Sequence, residues 1–206
     1  MAKQARGQKI VTDAQRTSTD QLLEAAQRAA RAGGLPPVHL WNPPFCGDID
    51  MEIRRDGTWF HEGTPIGRAP LVRLFSTILK REGDRYFLVT PVEKVGIRVE
   101  DAPFVVQDFD VSGSGRSQSI TLITNVGDHV PAGPDCAIKV NRDIGGAPRP
   151  YVHVRAGLEA LIDRKSFYRL IDLGEPHEVA GTDWFGLWSR GVFFPIILLS
   201  ELSPED

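Results

Sequence analysis

Cysteine is scarce in this chain of 206 residues: Cys46 and Cys136 stand far apart and supply no disulfide framework, which points to a reducing cytosol. Long apolar runs are missing as well. The longest, Val192 to Leu199 (VFFPIILL), contains Pro195 and is far short of the ~20 residues a membrane helix needs. It reads as a strand or helix start packed into a core. The N-terminus, MAKQARGQKIVTDAQRTSTD, has no apolar stretch of the kind a secretory signal requires. A basic excess is also absent. The net charge is -3, so no global field recruits nucleic acid. Lysine is rare, with 6 against 18 arginines. The planar arginine fork suits carboxylate and phosphate, although a GC-rich coding sequence gives the same bias. Neither an HExxH motif nor paired cysteines occur, so neither metal nor cofactor is expected. Gly113-Ser114-Gly115-Arg116-Ser117 lacks the lysine of a phosphate-binding loop and reads as a flexible turn.

What is present suffices for a core, since 41% of residues are hydrophobic. Residues 1–17 read as a disordered tail. TSTDQLLEAAQRAARAGG then has hydroxyl caps, a thin stripe of Leu22, Leu23, Ala26, Ala29 and Ala30, and a closing glycine pair, which together predict a helix. Asp50 to Arg54 and Thr58 to His61 flank the turn pair Asp56-Gly57 as a hairpin. Leu71 to Lys80 has helical periodicity behind Pro70, and Ser166 to Leu173 reads as a second helix. Strands are expected at Tyr86 to Thr90, Val95 to Val99, Phe104 to Val111, Gln118 to Thr124, Ala137 to Val140 and Tyr151 to Arg155. Trp184 to Trp188 and Val192 to Leu199 close the chain. Strands in runs with few helices predict an α+β fold with mostly antiparallel sheet.

An internal echo divides the chain. His61 to Phe75 resembles Arg155 to Ile171: each passes a glycine, then I-x-R-x-x-φ-φ-R-φ-φ leads into a helix. Aligned on Ile66 and Ile162, Arg68 meets Arg164 and Arg73 meets Arg169. Two related small domains follow. One spans 18–102 with the leading helix, and the other spans 103–206.

The blocks GDIDMEIRRDGTWFHEGTPIGR, YFLVTPVEKVGIRVEDAPF and YVHVRAGLEALIDRKSFYRL fall in order between Trp41 and Trp188. In these blocks the chain resembles an uncharacterised bacterial family, the domain of unknown function numbered 1285. That resemblance implies two similar domains, the second pleckstrin-homology-like. It also implies a pocket between them for a nucleotide-type ligand, and a role in signal transduction.

Polar residues gather in the first half. Asp48, Asp50 and His61 form a group in which a carboxylate could orient an imidazole if the hairpin pairs Asp50 with His61. Thr64 and Arg68 sit at a helix entrance, where free N–H groups and a guanidinium welcome an anion. The opposing reading has Thr64 capping that helix and Arg68 paired with Glu93, Glu100 or Asp101. Glu93 and Lys94 lie between two strands, and Arg164 repeats Arg68 in the second half. The leading expectation is a cytosolic binding or signalling protein, more a binder than an enzyme. Its small anionic, nucleotide-like ligand would contact Asp48, Asp50, His61, Thr64, Arg68, Glu93, Lys94 and Arg164. One alternative is a protein-interaction module using the second half, near Trp184, Trp188 and Phe193. Another is a hydrolase using Asp48, Asp50 and His61. Neither a nucleic acid nor a membrane is expected as partner.

Overall fold

A computed structural model describes Glu24, Gln27 and residues 34–202. The expected tail and nearly all of the leading helix fall outside these residues. Glu24 and Gln27 themselves are helical. The chain divides into two compact units, one ending at Glu100 and the other starting at Asp101.

In the first unit, a short 3-10 turn (Val38–Leu40) precedes β1 (Phe45–Ile53), β2 (Trp59–His61) and β3 (Thr64–Pro65). Helix α1 (Ala69–Thr77) follows, then β4 (Leu79–Glu82), β5 (Arg85–Val89) and β6 (Lys94–Val99). They make one sheet in the order β3-β2-β1-β6-β5-β4. The Asp56-Gly57 hairpin forms as its turn chemistry requires, with Thr58 N donating to Asp56 Oδ1 at 2.9 Å. That bond holds the Asp56 carboxyl below the usual range. The strand is longer than the Asp50–Arg54 stretch expected, because its first residues pair with β6 across a bulge near Gly47, whose φ is 102°. The helix ends three residues earlier than the apolar pattern suggests. Ile78 N bonds back to Phe75 O at 3.1 Å, and Leu79-Lys80 enter a strand instead. Stacked rings of Trp59 and Phe75, 6.3 Å apart, sit in a core with Met51, Ile53, Ile78 and Leu88.

The second unit begins with three strands, β7 (Phe104–Ser112), β8 (Ser119–Thr124) and β9 (His129–Pro131). It then repeats the order seen in the first. β10 (Ile138–Arg142), β11 (Pro148–Arg155) and β12 (Leu158–Ile162) lead into α2 (Arg164–Ile171). β13 (Glu175–Val179), β14 (Thr182–Ser189) and β15 (Val192–Leu198) follow, with a short α3 (Leu199–Leu202). The sequence echo therefore marks a real duplication of a β-β-β-α-β-β-β motif. Its two hairpins, at Glu62-Gly63 and Ala156-Gly157, share positive φ at both turn residues (48° and 70°; 46° and 76°). α2 is capped by Asp163, whose Oδ1 accepts from Ser166 N at 2.7 Å. α1 has no side-chain cap.

Strand pairing is antiparallel throughout the described residues except at β1–β6 and β7–β12. The motif is joined differently in the two units. In the first, β1 and β6 pair and close one sheet. Their counterparts β10 and β15 approach one another yet belong to separate sheets, β10-β11-β12-β7-β8-β9 and β13-β14-β15. Ser189 anchors the smaller sheet at its far end, accepting from Ile120 N at 2.9 Å and donating to Ala132 O at 2.8 Å. No helix among the described residues is long and apolar enough to cross a membrane.

Candidate functional site

Alternation along β1 sends Ile49, Met51 and Ile53 into the core and Asp48, Asp50 and Glu52 to the opposite face. There the acids meet cations from β5 and β6. Asp48 Oδ1 accepts from Arg85 Nη2 at 2.7 Å, and Asp50 Oδ1 from Arg98 Nη2 at 3.1 Å. Gly96 lets the first pair lie flat on the sheet, because a Cβ there would come within 1.9 Å of Asp48 Oδ1. Lys94 Nζ and Lys80 Nζ both reach Glu82, at 2.9 and 3.0 Å. These two ammonium groups hold the Glu82 carboxyl below the ordinary glutamate range, Lys94 most strongly. The Phe87 ring lies under Lys94 and Arg85, each 5.0 Å from its centroid.

This face brings Asp48, Asp50 and Lys94 together as the sequence suggested, but each already holds an opposite charge. An incoming anion would have to displace a carboxylate. The carboxylate–imidazole pair expected of the hairpin does not form. His61 stands opposite Met51, which is fully buried, so His61 and Asp50 leave the sheet on opposite faces. Thr64 pairs with His61 on an exposed edge strand and does not cap α1. Arg68 fills the cap position through its backbone, Leu71 N donating to its carbonyl at 2.9 Å. The partners expected for its guanidinium are engaged elsewhere. Glu100 accepts from Arg55 N at 2.9 Å, and Asp101 accepts from Tyr151 Oη at 2.8 Å and from Arg149. Glu93 is buried in the turn before β6, its N–H on Thr90 Oγ1 at 3.2 Å. Arg164, in the second unit, donates to the Tyr168 hydroxyl at 3.1 Å. No group of three His, Cys, Asp or Glu among the described residues could hold a metal ion.

A different feature stands out in the second unit. A cavity of about 300 Å³ opens where α2, β14 and β15 meet the end of β10. Phe167 and Ile171 of α2, Phe185 of β14, and Ile196 and Ile197 of β15 form its wall. A register shift between Phe185 and Gly186 places two consecutive isoleucines on the same cavity. Gly174 touches it indirectly, since a Cβ there would strike the Phe185 ring at 2.4 Å. Leu202 of α3, Arg142 of β10 and Tyr168 of α2, all exposed, also line it. Arg142 Nη2 meets Glu201 Oε2 at 2.6 Å and Nη1 donates to Gly146 O at 3.1 Å. Both side chains of the ion pair are nearly half exposed (45% and 46%), so the pair contributes no more than about 1 kcal/mol.

The sequence reasoning missed every one of these residues. One signal was available: the VFFPIILL run is apolar on both faces of β15, whereas a strand covered on one side alternates. Of the aromatic residues proposed for a partner surface, Trp188 is buried and Trp184 and Phe193 are half-buried. Trp188 and Phe193 pack around His177, with ring centroids 4.8 Å away in each case.

Comparison with known proteins gives consistent results. The profile described as "Domain of unknown function (DUF1285), N-terminal domain" matches residues 36–102. That described as "Protein of unknown function (DUF1285), C-terminal domain" matches residues 103–196. A crystal structure of a DUF1285 family protein from Silicibacter pomeroyi DSS-3 is 62% identical, over 88% of this chain and 97% of that one, with a TM-score of 0.79. Another, from Shewanella baltica OS155, is 30% identical over 59% of this chain and 90% of that one, with a TM-score of 0.49. No curated protein matches the chain.

Proposed function

Since the chain belongs to the DUF1285 family, whose description carries no activity, we propose that it is a binding protein and not an enzyme, taking a small, largely apolar ligand into the cavity of its second unit. The observation that carries this reading is the apolar cavity of about 300 Å³, at the lower end of the range for small-molecule sites. The pocket is open on one side, so its apolar lining meets water, and an apolar ligand would remove that surface from solvent. The charged face of the first unit supports an anion site less well, because Asp48, Asp50 and Glu82 already neutralise Arg85, Arg98 and Lys94. Trp184, Trp188 and Phe193 favour a partner surface less, being half-buried or buried.

A thermal-shift panel tests the proposal, with alkyl alcohols and acids of increasing length beside nucleotides and inorganic phosphate. A ligand at a hundred times its dissociation constant stabilises by about 2.7 kcal/mol. The expected outcome is a shift with the alkyl compounds that an Ile171→Phe variant abolishes by filling the cavity. A shift with nucleotides alone, unchanged in that variant, would favour the nucleotide-type ligand and signalling role implied by the family resemblance.

A further inference from the structure

Building on the cavity reading, we infer that the ligand is an amphiphilic carboxylate whose acid takes the place of Glu201 on Arg142, and that its binding releases the C-terminal helix α3. Three observations converge on this. Arg142 is the cation in the lining of a pocket that is otherwise apolar apart from Tyr168, whose hydroxyl Arg164 already engages, so a ligand with an apolar body and one anionic end matches both parts. The guanidinium already holds a carboxylate there, the 2.6 Å contact from Nη2 to Glu201 Oε2. Its Nη1 is tied to Gly146 O at 3.1 Å, which keeps the fork in place when the acid is exchanged. Finally, Glu201 and Leu202 are neighbours on α3: one occupies the arginine and the other lines the pocket. A single displacement therefore vacates both.

The exchange is chemically balanced, since one carboxylate replaces another on the same guanidinium and no proton moves. It is also easy, because the pair being broken is half exposed and screened by water. α3 is a single turn, Leu199–Leu202, which packs on β14 and β15.

The experiment is isothermal titration calorimetry on the full chain with decanoate and 1-decanol, which share a chain length and differ in the acid. Decanoate is expected to bind a few-fold tighter, at most about fivefold, because an exposed ion pair contributes no more than about 1 kcal/mol and Glu201 competes for the same guanidinium. Glu201→Gln removes the internal competitor and is expected to tighten decanoate roughly threefold while leaving 1-decanol unchanged. Arg142→Leu is expected to erase the preference for the acid. Retained 1-decanol affinity in each variant shows that the cavity is intact. Amide hydrogen exchange at Leu199–Leu202 should quicken with decanoate and not with 1-decanol. Equal affinity of wild type for the two compounds would overturn the acid exchange and leave the cavity reading standing. Binding of neither compound would overturn both. Slower exchange at α3 with decanoate would overturn the release of the helix.

Discussion

The two units carry the same β-β-β-α-β-β-β motif; the second adds β7–β9 and joins the halves of the motif differently. In the first, β1 and β6 pair and the sheet is continuous beneath α1, with Phe75 1% exposed against Trp59. In the second, β10 and β15 stay in separate sheets, and the cavity lies beside them under α2. Counted from the caps Arg68 and Asp163, Phe75 corresponds to the fully buried Leu170, and the buried Ser76 corresponds to Ile171, a pocket wall. Thus the helix position that is buried as Ser76 in one copy is half-buried as Ile171 beside an open pocket in the other.

The largest test of this contrast is Phe75→Ala. Truncation in a closed core should cost about 3–5 kcal/mol, measured by hydrogen exchange in the first unit so that the two units are read separately. In the second unit, Ile171→Phe at the pocket wall should be neutral or stabilise by up to about 1 kcal/mol, because the ring enters existing space. A loss of several kcal/mol there would mean that the void is not open to occupancy.

The next effect concerns the anchor of the smaller sheet. Ser189→Ala leaves Ile120 N and Ala132 O without their buried partner and should cost about 1–3 kcal/mol, readable as faster exchange across β14 and β15. An unchanged exchange pattern would show that other packing holds the sheet.

Smaller still are changes on the charged face of the first unit. Gly96→Ala should separate Asp48 from Arg85 at a cost below about 1 kcal/mol, since both groups are exposed. Glu82 gives a pH signature. Its folded-state pKa is depressed, so its stabilisation is complete above the ordinary glutamate value and disappears as pH falls through the folded value. Glu82→Gln should therefore flatten the acid limb of stability against pH and leave its neutral region lower by no more than about 1 kcal/mol.

Much of this fold was legible in the sequence, for identifiable reasons. Asp56-Gly57 announced itself as a turn through residues that tolerate left-handed backbone, whereas the Glu62-Gly63 and Ala156-Gly157 turns showed only their glycines. The echo of Ile66-Gly67-Arg68 in Ile162-Asp163-Arg164 revealed the duplication. Other elements were hidden. β13 reads EPHEV, polar and proline-bearing, and is a strand because β14 pairs with it along a sheet edge. β4 was absorbed into the apparent helix, because Ile78 and Leu79 continue its apolar rhythm. The candidate site was the least legible part. Asp48, Asp50 and Lys94 do share a face, but sequence gives no account of the arginines and glutamate that neutralise them from β4, β5 and β6. A cavity is a property of packing that fails to close. Only the doubly apolar β15 hinted at one.

The central claim is tested most directly by methyl NMR of the full chain titrated with decanoate. Shift changes confined to the methyl groups of Ile171, Ile196, Ile197 and Leu202 are expected. Changes centred instead on Ile97 and Val99 of the first unit, or none at saturating decanoate, would contradict it.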